Sequence, residues 1–233
     1  MQETASRLIV IADIVESRAL APEARRAVQA RISELAHAPL QFRFAGGDEF
    51  EWSLADAPSS LDALLRFRTA LGAGDDARGI PGVALRCGLG RGPVTVGSTD
   101  GPYAEDGPAY HRARAAYDAM RQEPGRQRRS REHPFEPTDA PERRRTVLDD
   151  GGADPVQDAL LMFMDEIMLQ WSRVHWEVID RVLAGASYDD VAAALGISTV
   201  AVYKRLQSAR LNSYLVGHKA LKARLATPES ADA

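Results

Sequence analysis

The stretch "RLIVIADIV", residues 7–15, constrains this chain more than any other. Every residue between Arg7 and Asp13 is apolar, and Ile and Val dominate. A strand with one wet face would alternate, so an unbroken run reads as a central strand covered on both faces. The segments after it fit a sheet built around that strand. "PEARRAVQARISELAHA" places Ala24, Val28, Ile32 and Leu35 at helical spacing behind Pro22, a residue suited to a first helical turn. "LQFRFAGGDEFEWSL" alternates on both sides of a Gly-Gly turn, which predicts a β-hairpin.

The pattern continues with a Ser-capped, glycine-terminated helix in "SSLDALLRFRTALGAG". "GVALRCGLGRGPVTVG" reads as a strand, a turn and a short strand. "DGPAYHRARAAYDAMRQ" reads as a helix and "RTVLDD" as a last strand. The order is β-α-β-β-α-β-α-β, ending near Asp150, and predicts an α+β domain over residues 1–150. Within it, residues 121–145 hold eight arginines, five acids and four prolines with almost no aliphatic residue. Such a stretch cannot bury itself and is expected to form a mobile loop. After "GGADP" the chain reads as helices alone, giving a second, all-α domain over 155–225.

Cys87 is the only cysteine, so no intrachain disulfide and no cysteine zinc site can form. Its apolar strand setting suggests a buried thiol. The first residues lack the basic-then-apolar layout of a signal peptide, and no apolar run reaches the ~20 residues of a membrane span. A cytoplasmic protein without a membrane partner is expected. The net charge of −4 excludes a uniformly basic nucleic-acid surface but leaves room for a local basic face.

Two acids stand where chemistry could gather. Asp13 ends the central strand, and Asp48 sits at the hairpin tip in "GGDEF". If hairpin and strand are neighbours, the carboxylates can meet at the strand ends, and a divalent cation between them would relieve their repulsion. Each acid also has a plainer reading: Asp13 as a cap, Asp48 as a turn former.

The order of these motifs resembles the palm-like fold shared by class III nucleotidyl cyclases and GGDEF-type diguanylate cyclases. "ADIVESR" is similar to the first metal strand, "GGDEF" to the signature hairpin, and "CGLGRGPVTVG" with "DGPAYHRARAA" to the approach to the catalytic helix. The resemblance implies a ferredoxin-like antiparallel sheet with helices on one face. It also implies Mg²⁺ or Mn²⁺ on Asp13, Asp48 and Glu49. A nucleoside triphosphate would lie against Glu16, Ser17, Gly46, Gly47 and Arg114, with Arg114 steadying the phosphates. The match is incomplete. Tyr110 replaces the amide expected four residues before Arg114, and Phe44 replaces the purine-reading residue before the hairpin Asp. Nucleotide binding is therefore favoured over turnover. "IADIVESR", "GDEF" and "GPAYHRAR" together resemble the SatD family, small bacterial proteins in which a C-terminal helix-turn-helix is common.

Residues 187–211, "SYDDVAAALGISTVAVYKRLQSARL", carry helix-turn-helix spacing. Ala192 is small at the crossing, Gly196 suits a left-handed turn, and Ser198 or Thr199 caps the second helix. Val202 and Leu206 face inward. That turns Thr199, Tyr203, Lys204, Arg205 and Gln207 outward, where hydroxyls, amides and cations can meet phosphates and base edges. "LGIS" followed by "TVAVYKRL" resembles region four of sigma factors. The plainer reading is a helical hairpin with solvated charges. Residues 155–233 hold eight cations and nine acids, a poor balance for DNA unless a homodimer doubles the contacts. The apolar helix "DALLMFMDEIMLQW" could form the dimer seam or pack the two halves together. The leading expectation is a DNA-binding transcriptional regulator with a nucleotide- or metal-binding first half; a metal-dependent nucleotidyl cyclase or nucleotidyltransferase is the alternative.

Overall fold

A computed structural model describes residues 6–36, 40–54, 57–96, 105–121 and 144–226. The apolar run forms strand β1 (Ser6–Ile14), followed by a 3-10 turn (Ser17–Ala19) and helix α1 (Pro22–Leu35). The hairpin is β2 (Gln41–Gly46) and β3 (Glu49–Leu54), then α2 (Ala57–Ala73), β4 (Leu85–Pro93), the short pair β5 (Thr95–Val96) and β6 (Glu105–Asp106), α3 (Pro108–Arg121) and β7 (Thr146–Asp149). Five strands make one sheet in the order β2-β3-β1-β4-β7. Central β1 pairs antiparallel with β3 and β4, as its fully buried Leu8, Ile9 and Val10 require.

Two expectations about this sheet need correction. It is mixed rather than antiparallel, because β7 runs parallel to β4. That follows from the α3 crossover, which returns the chain to the end of the sheet where β4 began. Nor are the helices confined to one face. Leu8, Val10, Ala12 and Ile14 of β1 share a core with α1 and α2, whereas Ile9 and Ile11 pack against Ala109, Ala113 and Tyr117 of α3 on the other face. The unbroken apolar run is thus covered twice. Most of the arginine-rich stretch, residues 122–143, lies outside the described residues.

Helices α4 (Pro155–Met168), α5 (Arg173–Leu183), α6 (Tyr188–Leu195), α7 (Thr199–Ser208) and α8 (Leu211–Ala226) complete the chain. They pack against α2 and β7. His218 and Lys222 of α8 hold Asp62 of α2, and Thr69 of α2 donates to Asp180 of α5 at 3.0 Å. A buried polar knot sits under β7. Asp165 of α4 accepts the backbone N–H groups of Arg145 and Thr146 at 2.6 and 2.7 Å, with Arg68 of α2 at 4.0 Å. Burial pushes the Asp165 carboxyl up from its ordinary range, against the pull of Arg68 and these hydrogen bonds.

Candidate functional site

The site begins with two glycines. Gly88 and Gly90 of β4 point at α3, where a Cβ on Gly90 would stand 2.2 Å from Ala109 O and Ala113 N, and one on Gly88 2.4 Å from Tyr117 N. Their hydrogens let the backbone of α3 lie directly on the strand, with Ala109 and Ala113 filling the contact. This close approach aims the adjoining stripe of α3 (Tyr110, Arg114, Tyr117 and Arg121) over β1 and β3.

The sheet presents acids to that stripe. The register Ala12↔Phe50 makes Asp13 and Glu49 next neighbours across β1 and β3, and Asp13 pairs with Arg86 on β4. Arg86 forks onto Asp13, with Nε donating to Oδ1 at 3.1 Å and Nη2 to Oδ2 at 2.6 Å. The Tyr117 hydroxyl accepts from Arg121 Nη1 at 3.2 Å. Burial first, then the charges of Asp13 and Glu49, push that phenol up from its ordinary value. Arg114 donates to Glu49 Oε1 at 2.6 Å, and Arg121 lies 3.8 Å from Oε2. Both guanidinium groups rest over the Tyr117 ring, at 5.3 and 5.4 Å. Asp48 is half-buried at the turn, and its charge joins Asp13 in holding the Arg86 proton.

Beside this cluster opens a cavity of about 340 Å³, lined by Ile11, Arg43, Glu51, Asp106, Tyr110, His111 and Arg114. Arg43 pairs with Glu51 and sits 5.9 Å from the Tyr110 ring centroid. The face therefore combines a polar recess with an acid–arginine network.

As arranged, the acids do not offer a cation an open set of ligands. Both oxygens of Asp13 are taken by Arg86, and Glu49 is held by Arg114 with Arg121 close by. Among the described residues no group of three His, Cys, Asp or Glu side chains could hold a metal ion. A divalent ion on Asp13 would first have to displace a guanidinium.

The other sequence-predicted residues are scattered around this centre. Glu16 is exposed and adopts a left-handed backbone (φ 57°), while Ser17 is buried in the 3-10 turn that separates β1 from α1. Gly46 and Gly47 are exposed at the hairpin tip. Gly47 turns left-handed at φ 60° and accepts a hydrogen bond from Gln29 of α1 at 2.6 Å. Arg86, Tyr117 and Arg121 were missed. Arg86 interrupts the apolar "VALRCGLG", and Tyr117 and Arg121 continue the Tyr110–Arg114 spacing by two further helical turns.

The second candidate surface lies on α6 and α7. Ser187 caps α6 by accepting from Asp190 N, and Ser198 caps α7 by accepting from Ala201 N. Gly196 closes α6 at φ 62°. Val191, Ala192, Val202 and Leu206 are buried between the helices, and Tyr203, Lys204 and Gln207 are exposed. Arg205 is half-buried, and the Thr199 hydroxyl donates to Asp189 at 2.7 Å, which occupies a group expected to face outward. Of the cations on α8, Lys222 is committed to Asp62 and Arg224 to Asp154. Helix α4 buries Leu161, Met164 and Met168 within the chain and leaves Val156 and Phe163 exposed.

No known protein family and no curated protein matches the sequence. Among the described residues no helix is long and apolar enough to cross a membrane.

Proposed function

We propose that the chain is a DNA-binding transcriptional regulator, with α7 as the helix that enters the major groove. The observation that carries this reading is the α6–α7 pair. Two serine-capped helices meet at a left-handed glycine, share a small apolar core, and turn Tyr203, Lys204 and Gln207 to solvent. Lys204 and Arg205 would neutralise phosphates, and Gln207 and Tyr203 would reach base edges. The acids Asp189 and Asp190 at the start of α6 work against a large affinity from one chain, so the reading includes a homodimer. Exposed Val156 and Phe163 of α4 are the apolar residues available for its seam.

In this reading residues 1–150 form a palm-like sensing domain and 155–225 the DNA-binding domain. The order β2-β3-β1-β4, with α1 and α2 on one face, supports the palm-like assignment. The recess beside Arg114 suits a nucleotide, whose phosphates could compete with Glu49 for the arginine and whose base could lie on Tyr110. A metal-dependent nucleotidyl cyclase or nucleotidyltransferase is less well supported, because Asp13 is already bound by Arg86. A mobility-shift titration with the DNA upstream of the protein's own coding sequence tests the regulator. Specific retardation that Tyr203→Ala and Lys204→Ala both weaken is expected; equal retardation of unrelated DNA by all three proteins would refute it. Incubation with nucleoside triphosphates and Mn²⁺, followed by chromatography, tests the enzyme: a product lost in Asp48→Ala would establish it.

A further inference from the structure

Helix α7 has two opposed faces. Val202 and Leu206 are buried against the neighbouring helices. Val200, Tyr203, Lys204 and Gln207 recur at i, i+3, i+4 and i+7, so they form one exposed stripe on the other side. Val200 opens that stripe and is 62% exposed. We propose that Val200 is a specificity residue that reads the 5-methyl group of a thymine in the major groove. The proposal rests on the assignment of α6 and α7 to DNA and adds what the first turn of α7 recognises there.

The amino end of a recognition helix is the part that meets base edges. Here the hydroxyls of that end are held by the protein itself. Ser198 Oγ accepts from Ala201 N at 3.2 Å, and the Thr199 hydroxyl donates to Asp189 Oδ1 at 2.7 Å. The Asp189 carboxylate also sets a negative charge beside the helix terminus, which offsets the pull that a free amino end exerts on a phosphate. The group left facing outward in the first turn is the isopropyl of Val200. Valine has no side-chain donor or acceptor, so it cannot tell bases apart by hydrogen bonds. The apolar group on the major-groove edges is the thymine methyl, and apolar side chains recognise it by contact.

The rest of the stripe fixes where that thymine lies. From Val200 to Gln207 the helix rises about 10 Å, which matches about three base-pair steps. Val200 therefore stands at one end of a short run of bases. Gln207 stands at the other, where its amide can pair with an adenine through N6 and N7. Lys204 lies between them on the same stripe and remains free for a phosphate. The apolar reader and the amide reader thus address two positions of one half-site, and a change at one leaves the other's contact in place.

The test uses the full chain and the DNA upstream of its own coding sequence, with the protected site mapped first by footprinting. Thymidines in that site are then replaced one at a time by deoxyuridine, which removes the methyl group and keeps every hydrogen-bonding group of the pair. Excluding one methyl from water is worth about fourfold in affinity. The parent protein is expected to lose about that factor at one thymine per half-site. Val200→Ala, whose shorter side chain leaves the methyl in water, should bind the unmodified site as weakly and ignore the deoxyuridine. Val200 is exposed, so this variant should melt with the parent. Val216→Ala, at an equally exposed valine of α8, should respond to the methyl as the parent does. A footprint in which no thymine responds, or a response that persists in full in Val200→Ala, would overturn the proposal. Specific binding without a methyl response leaves the regulator reading standing, whereas the absence of specific binding removes both.

Discussion

Replacing Arg86 by leucine would strand the carboxylate of Asp13 inside the sheet. The pair is unevenly buried, with the Asp13 side chain 7% exposed and that of Arg86 25% exposed. Exposed ion pairs contribute roughly 0.2–1 kcal/mol, whereas removing one partner of a fully buried pair costs about 3–5 kcal/mol. The Asp13–Arg86 fork lies between these limits, so Arg86→Leu should cost about 2–3 kcal/mol. For a chain of this size that lowers the melting temperature by roughly 4–12 °C. Asp13→Asn strands the guanidinium instead, with a smaller penalty because Arg86 can reach water. In Asp13→Asn/Arg86→Leu neither charge remains. The double variant should then be about 2 kcal/mol more stable than the single losses add up to. Urea melts of the four proteins measure this coupling, and a value below about 0.5 kcal/mol would refute the account of the fork. The same variants bear on metal binding. Arg86→Leu frees both oxygens of Asp13 while Glu49 stays with Arg114, so Mn²⁺ should raise the variant's melting temperature and leave the parent protein's unchanged. Equal stabilisation of the parent, lost in Asp13→Asn, would mean that the acids serve as metal ligands with Arg86 in place.

Other consequences are read more simply. Gly90→Ala must push α3 off β4, because the new carbon would overlap backbone rather than side chain; a loss of about 3 kcal/mol or more is expected in the same melts, above the usual range for overpacking. Burial pushes the Cys87 thiol up to about 11. The folded state therefore holds a proton that the unfolded state releases near pH 9, and stability should fall as pH rises from about 9 to about 11. At neutral pH a disulfide reagent should modify Cys87 only after denaturant is added. His175 of α5, bonded through Nε2 to Ser208 of α7 at 3.0 Å, is held below its ordinary pKa by burial and then by Arg205. The unfolded chain protonates first, so this contribution is present above about pH 6.5 and lost on acidification. Proton NMR of the imidazole should show a titration midpoint below that of an exposed histidine.

The apolar run at β1, the alternating hairpin and the helix cap at Ser198 were legible because each depends on local spacing alone. The covering of both sheet faces was harder to assign to particular helices. "GLG" in β4 and the alanines of α3 are unremarkable until strand and helix are known to touch, and only then does their shared smallness place α3. The parallel pairing of β7 depends on an edge reached after the long arginine-rich stretch, and no local pattern specifies it. Asp13 was legible as an acid at a strand end and Asp48 as one at the hairpin tip, whereas Glu49 entered only through the resemblance. Arg86 and Arg121, which meet Asp13 and Glu49, were not legible, since neither arginine carries a sign of which carboxylate it meets across the sheet. Thr199 shows the same limit on a smaller scale: its outward position was predictable, but its bond to Asp189 was not.

The most direct measurement is fluorescence anisotropy of labelled upstream DNA titrated with the protein across a salt series. If α7 lies against the phosphates, log K should fall linearly with log salt, and Lys204→Ala should reduce the slope by about 0.9 for the contact it removes. Binding that is absent at low salt, or a slope that Lys204→Ala leaves unchanged, would contradict the assignment of α6 and α7 to DNA.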